Sequence, residues 1–393
     1  MLLPVGHARA TRRHAAPAAA KSFARGRVLP LAHKDQPVRK TLVAALLAAG
    51  LAGSVHAQSN VTIYGLVDYG ATYVKASGQD SRQAIDSGTS AGSRLGFRGT
   101  EDIGNGTKVG FVYEMGMSPD SGSAFTFSNR ASWVNVVSSL GEIRVGRQDG
   151  IGYGWLAAVS PFGTTYGQAS MNTLFGYSQI SNRLSNALFY YSPNFGGLDF
   201  ALGYSGNITD DESVENASDQ RALNAGLRYK SGPLLAVLVY EQKNYANNLS
   251  STGRDNAKSV ALGGTYDFGA VKIHAAYGQL RKRNYVSAAE KEKTWLLGLS
   301  APIGQDGSLF GTYQHNKGRN ENLYGAAQDD AVRGFALGYT HKLSKRTNLY
   351  VFGSRYNDTP LLLTGTENTS SNSPTAAGPV DQNQFGAGIV HRF

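Results

Sequence analysis

From Asn60 to the last residue, the chain falls into segments of about 8 to 14 residues in which apolar and polar side chains alternate, joined in turn by very short and by longer polar connections. A period of two is that of a β-strand, whose successive side chains point to opposite faces. After residue 57 no stretch approaches the roughly 18 consecutive apolar residues of a spanning helix, so any crossing of a membrane falls to strands. The short connections are Gly104-Asn105-Gly106, Leu140-Gly141, Pro193 to Gly197, Ser231-Gly232, Gly269-Ala270, Gly304 to Gly307 and Leu343 to Lys345. The long ones lie around 76–90, 118–128, 149–182, 207–219, 244–256, 284–292, 319–330 and 357–380. Seven turns and eight loops join sixteen strands, and an even number lets the last antiparallel strand close on the first and removes both sheet edges. The tail "QFGAGIVHRF" carries Phe385, Ala387, Ile389, His391 and Phe393 at spacing two. Termini fray unless something ties them down, so this segment is expected to pair with another strand.

One parity of these segments is apolar: Val61, Ile63 and Val67; Leu95 and Phe97; Val109, Phe111 and Tyr113; Val260, Leu262, Tyr266 and Phe268; Val271, Ile273 and Tyr277; Trp295, Leu297 and Leu299. The other carries Asp68, Arg94, Arg98, Glu114, Arg228, Asp267, Lys272 and His274. A soluble sandwich buries the apolar face, whereas a barrel in lipid turns it outward and faces the charges to a wet lumen. Periodicity alone does not choose between them. Three features favour lipid: the strand count, an export signal described below, and aromatic residues near strand ends (Tyr73, Tyr113, Tyr204, Tyr229, Tyr240, Phe268, Tyr339 and Tyr356), as in the aromatic girdles of membrane barrels. "PLLAVLVY" at 233–240 is apolar on both faces, which fits either a subunit contact or a tight lumen wall.

The formal charge of +10 raises nucleic acid as a partner, but the charge is not spread over the chain. Residues 1–57 hold nine Lys/Arg and one acid, leaving 29 basic against 27 acidic residues for 58–393. A nearly neutral body argues for no nucleic acid. Residues 38–57, "VRKTLVAALLAAGLAGSVHA", place Arg39 and Lys40 before an apolar run and end in Val55-His56-Ala57, the layout of a signal peptide cleaved after Ala57. Residues 1–37 are patternless and read as a non-native extension from a start site placed too early, with Val38 as the initiator. The remainder, 58–393, is the barrel.

Other motifs carry little chemistry. "GTSAG" at 88–92 matches a nucleophile elbow, but it precedes a strand rather than joining a strand to a helix. "GNGTKVG" at 104–110 has the glycines of a phosphate loop and no following helix, so it is a turn. Eight scattered histidines, expected to be mostly solvated, and the absence of cysteine give no metal or cofactor site. Three functions stand: a passive diffusion channel; a barrel lipase or protease, which needs a histidine beside a nucleophile near a rim and finds none; and an adhesin or phage receptor borne by the long loops, which is compatible with a channel.

The stretches "VTIYGLVDYG", "SRLGFRGTEDIGNGTKVGFVYEMG", "GEIRVGRQ", "YYSPNFGGLDFALGY" and "FALGYTHKLSKRTNLYVFGSRY" resemble the general porins of Gram-negative bacteria, β-proteobacterial branch, over essentially 58–393. The resemblance implies an all-β, sixteen-stranded antiparallel transmembrane barrel in the outer membrane, forming homotrimers among lipid and lipopolysaccharide and passing small hydrophilic solutes. It also implies that the third external loop folds into the lumen, and that Phe393 is the end read by the outer-membrane assembly machinery. The family's third loop often brings acids into the pore by a Pro-Glu-Phe-Gly type segment; the counterpart here is Ser160-Pro161-Phe162-Gly163, and 150–182 contains no Asp or Glu. Arg94 and Arg98 share the lumen parity, Arg183 opens a strand on that side, and Arg147 holds the family's "GRQ" position although it breaks alternation. Arg130 reads nearer the lipid-facing rim. Against them stand Glu114 and Asp68. Unless these arginines merely brace the loop or pair with Glu114, the constriction is expected to lean toward anions.

Overall fold

The computed structural model describes residues 61–171, 175, 182–208, 220–244, 256–283, 291–318, 331–359 and 380–393. The leader read over 38–57 and the extension 1–37 lie outside the described residues. The strands are β1 (Thr62–Ala76), β2 (Arg82–Ser87), β3 (Arg94–Gly104), β4 (Thr107–Ser118), β5 (Ser123–Ser138), β6 (Gly141–Asp149), β7 (Arg183–Tyr191), β8 (Leu198–Ser205) and β9 (Ala222–Ser231). They continue as β10 (Leu234–Asn244), β11 (Asn256–Asp267), β12 (Lys272–Arg283), β13 (Lys291–Ile303), β14 (Gly307–Lys317), β15 (Ala331–Lys342), β16 (Thr347–Thr359) and β17 (Val380–Arg392). Each long strand pairs antiparallel with its chain neighbours, and β17 returns to β1 with Leu66 opposite Arg392 and Ala76 opposite Gln382. The tail is therefore tied down as its spacing predicts. Gly65 N–H donates to the Phe393 carbonyl at 3.2 Å, and Phe393 N–H donates to the Gly65 carbonyl at 3.1 Å.

Sixteen strands make the closed wall, and β2 is an addition to the expected set. The stretch 76–90, expected as a loop, folds back so that Arg82–Ser87 pairs with Val74–Tyr69. The reason lies in the unequal reach of its neighbours. β3 covers only Thr62–Leu66 of β1, and the upper part of β1 would otherwise present unpaired N–H and C=O groups. β2 takes that place, with Ile85 outward and Asp86 inward.

The wall is turned inside out relative to a soluble sheet. On β11 Val260 and Leu262 face outward and are about half exposed, whereas Ala261 between them is buried. Ile63, Phe268, Leu297, Leu337 and Val351 belong to the same outer belt. Tyr356 does not. It was expected among the rim aromatics, but it follows Phe352 and Ser354 on the inward parity, is fully buried, and accepts a hydrogen bond from Gln314 Nε2 at 2.8 Å.

Sixteen strands enclose more space than side chains can fill, and the segment after β6 fills part of it. It forms a short helix α1 (Ile151–Leu156) followed by 3-10 turns at Ala157–Val159 and Gly167–Ala169. Ile151, Leu156, Val159, Met171 and Phe175 pack on Leu184 and Phe189 of β7, Val237 and Val239 of β10 and Leu296 of β13. Farther along, Phe162, Tyr166 and Ala169 pack on Phe310, Tyr350, Phe352 and Val390. Burying a side chain of this size stabilises by about 1.5–3 kcal/mol, so the loop is fixed to the inner wall from β7 round to β17. This is why "PLLAVLVY" is apolar on both faces. Its outer face meets the apolar belt, and its inner face is the floor on which α1 rests.

Close approach of the helix requires a bare backbone beneath it. A Cβ at Gly226 would lie 2.7 Å from Ile151 Cγ2 and 2.8 Å from Trp155 Cζ3. Gly226→Val is therefore expected to leave the barrel closed while lifting α1 from the wall, lowering resistance to urea or heat by the equivalent of about 1–3 kcal/mol. Unfolding of the purified variant, followed by loss of β-sheet circular dichroism, checks this; an unchanged midpoint would contradict the packing.

Candidate functional site: a charged opening beside the inward loop

Polar contacts fix the loop as firmly as apolar ones. The first turn of α1 leaves N–H groups with no helical partner, and the wall supplies acceptors: Ile151 N–H donates to Asn224 Oδ1 at 3.0 Å and Gly152 N–H to Glu241 Oε1 at 3.1 Å. The turn after α1 is held by His274, whose Nδ1 lies 2.9 Å from the Val159 carbonyl and Nε2 2.9 Å from Ser300 Oγ. This histidine, on the inward parity as expected, is buried, whereas His391 is exposed. Gln168, fully buried, donates from Nε2 to Ser354 Oγ at 2.8 Å and to the Gln382 carbonyl at 3.2 Å, and Gln314 donates to the Ala169 carbonyl at 2.9 Å.

The residues 88–93 between β2 and β3 join this network. Asp68, expected at the pore, is instead buried beneath them. One carboxylate oxygen accepts from the backbone N–H groups of Ser90 and Ala91, each at 2.6 Å, and the other accepts from the Tyr350 hydroxyl at 2.7 Å. Ser90 Oγ donates to the Tyr166 hydroxyl at 2.8 Å, and Tyr166 N–H donates to the Thr89 carbonyl at 2.7 Å. The serine of "GTSAG" thus ties two loops together. Burial pushes the Tyr166 hydroxyl up to about 12, so this link keeps its proton across the physiological range.

Because the loop rests on β7 to β17, space remains on the other side of the lumen. A cavity of about 730 Å³ lies there, bounded by Gly150, Ile151, Gly154 and Trp155 of the loop and by the inward faces of β1, β3 to β7 and β9. On its wall Glu114 receives two guanidinium groups and a phenol: Arg130 Nε at 2.7 Å, Arg94 Nη1 at 3.5 Å and the Tyr64 hydroxyl at 3.0 Å. Arg144 pairs with Glu142 at 2.6 Å and Arg228 with Asp199 at 3.1 Å. Arg183 pairs with Asp149 at 3.1 Å and covers the Tyr153 ring, and Arg98 lies over Tyr64.

Of the residues predicted for the constriction, Arg94 and Glu114 meet on the lining of this cavity. Arg98 and Arg183 sit at its margin, against lining residues. Arg147 is not among the lining residues; it donates to Ser185 Oγ at 2.5 Å, beside a register shift between β6 and β7. Arg130, read as near the lipid-facing rim, belongs to the lining. The segment Ser160, Pro161, Phe162 and Gly163 is not at the opening either. Gly163 N–H donates to the Ser160 carbonyl at 3.0 Å in a tight turn, and Phe162 is buried against Phe310 and Tyr166. Arg228, on the charged parity but not among the residues predicted for the constriction, also lines the cavity, as does Arg144, which plain parity finds: it alternates with the outward Ile143 and Val145 and shares its face with Glu142.

The sequence matches the Gram-negative porin family over residues 42–360. It is 33% identical over 407 aligned positions to an outer membrane porin protein of Bordetella pertussis, covering 91% of this chain and 100% of that one. It is 34% identical over 329 positions to outer membrane porin protein 32 of Delftia acidovorans, covering 80% and 88%. Among solved structures, the anion-selective porin from Comamonas acidovorans matches with a TM-score of 0.70 and 29% identity over 86% of this chain and 100% of that one.

Asp68→Asn keeps the shape of the side chain but leaves one acceptor oxygen where two now serve three donors. A buried donor left unsatisfied costs about 1–3 kcal/mol, so the variant is expected to unfold at lower urea and to show noisier open-channel current as 88–93 and Tyr166 loosen. Single-channel recording checks this; wild-type noise and stability would show that Asp68 does not hold the loops.

Proposed function

Since the chain belongs to the Gram-negative porin family and so forms a water-filled diffusion channel in the outer membrane, we propose that its narrow passage favours anions and that the arginines facing the cavity are the groups responsible. The observation that carries this reading is the balance of charge along the opening. Among the described residues, Arg94, Arg130, Arg144 and Arg228 line the cavity against Glu114, Glu142 and Asp149, four guanidinium groups to three carboxylates, with Arg98 and Arg183 at its margin. The loop sequence 150–182 adds no acid on the facing side. In a passage with low-dielectric walls, an excess of fixed positive charge raises the local concentration of anions, even though the region 58–393 is nearly neutral. The anion selectivity named for the Comamonas acidovorans porin agrees with this reading.

The same family membership supports a homotrimer set among outer-membrane lipid and lipopolysaccharide, delivered by the outer-membrane assembly machinery after cleavage of the signal peptide read over 38–57. The paired and exposed end at Phe393 suits a contact with that machinery.

In a potassium chloride gradient across a planar bilayer, the reversal potential is expected to favour chloride. Arg94→Ala combined with Arg130→Ala leaves Glu114 without its two guanidinium partners and is expected to move the potential toward potassium. A cation-selective wild-type channel would overturn the assignment of the arginines while leaving the channel itself standing.

A further inference from the structure

The lower part of the opening, toward the short turns, is built differently from the wall around Glu114. There the guanidinium of Arg144 lies between two rings, 4.5 Å from the Trp133 centroid and 4.7 Å from that of Tyr191, and the guanidinium of Arg228 covers the Trp155 ring at 4.6 Å. Each arginine also has a carboxylate on its inner edge. Arg144 Nε and Nη2 donate to Glu142 at 2.6 and 3.1 Å, and Arg228 Nε and Nη2 donate to Asp199, both at 3.1 Å. These contacts fix the planes of both guanidinium groups, and in both the Nη1 amino group meets no acceptor among the described residues. Trp133, Tyr191 and Trp155 all border the same cavity and are only partly buried.

Orienting a passing chloride does not require this arrangement; any arginine would attract it. A rigid guanidinium edge is the donor pattern that a carboxylate matches with two parallel hydrogen bonds. The indole and phenol rings beside it, each covered by a guanidinium on one face and still partly exposed, offer apolar edge and remaining face to whatever the carboxylate is attached to. The geometry points to a solute-binding station on the short-turn side of the constriction, formed by Arg144 and Arg228 with Trp133, Tyr191 and Trp155, that takes small aromatic monocarboxylates in preference to aliphatic ones. The wall around Glu114, with Arg94 and Arg130, has the charge but a single ring, Tyr64, where the short-turn side has three. This inference rests on the anion-favouring reading of the passage and adds a solute class to it.

The test uses the full-length channel in a planar bilayer, with current carried by potassium chloride and the probe added on the side of the short turns. Sodium benzoate is expected to reduce the current at a concentration about three- to tenfold below that of sodium acetate, the factor that one desolvated ring contact supplies. Benzyl alcohol, which has the ring without the charge, is expected to leave the current unchanged. Trp133→Leu is expected to bring benzoate close to acetate, and Arg144→Gln to weaken both. Equal blockade by benzoate and acetate in the wild-type channel, or equal blockade by benzoate and benzyl alcohol, overturns the station while chloride preference persists. The wild-type comparison decides the matter even if a variant fails to assemble. A wild-type channel that prefers potassium overturns the reading beneath it, and the station with it.

Discussion

A sheet in hydrocarbon has no water to satisfy a free edge, so each strand must find a partner on both sides. In this chain that demand is met by the pairing of β17 with β1 across eleven residue pairs, from Leu66 and Arg392 to Ala76 and Gln382. Closure fixes the number of strands, and the number fixes the width. At sixteen strands the lumen is too wide to be filled by wall side chains, so something else must occupy it or water will. The chain does both. Residues 150–171 and 175 of the loop pack on the inner wall between β7 and β17, and a cavity remains beside the inward faces of β1, β3 to β7 and β9.

That division of the lumen explains the chemistry of the inward faces. Beneath the loop they are apolar or neutral: Val237 and Val239 on β10, Ala261 on β11, Leu296 on β13, Phe352 on β16. Buried groups that remain polar there, such as Asn224, Glu241, His274 and Gln314, each hold a backbone group of the loop. Opposite the loop the inward positions are charged, and their arginines are paired with carboxylates or laid on rings. The charge lining of the passage is therefore a consequence of where the loop rests.

Much of this was legible in the sequence because parity and turn chemistry are local. Strand number, all seven tight turns, the outward belt and the pairing of the tail follow from a period of two and the placing of glycine. What local pattern does not carry is which inward face will be wet. Asp68 has lumen parity, yet it is buried because residues 88–93 fold over it to use its carboxylate, a contact between positions 22 and 23 apart in sequence. Arg147 was favoured by its place in a motif, and a register shift beside it broke the alternation on which the other assignments rested. Tyr356 was read as a rim aromatic from its position near a strand end, although its own parity with Phe352 points inward. β2 escaped notice because "RQAIDS" is short and polar, and it exists to pair a length of β1 that β3 does not reach.

The chain contains no cysteine, so single introduced thiols report on one position each. Arg94→Cys and Val239→Cys both place a thiol on the inward face, one at the opening and one under α1. A small, positively charged, thiol-reactive ammonium added during recording should react with the first and reduce the current, while the second stays unmodified as long as the loop rests on the wall. Comparable reaction at both positions would contradict the account, since it would mean that the loop does not divide the lumen as described.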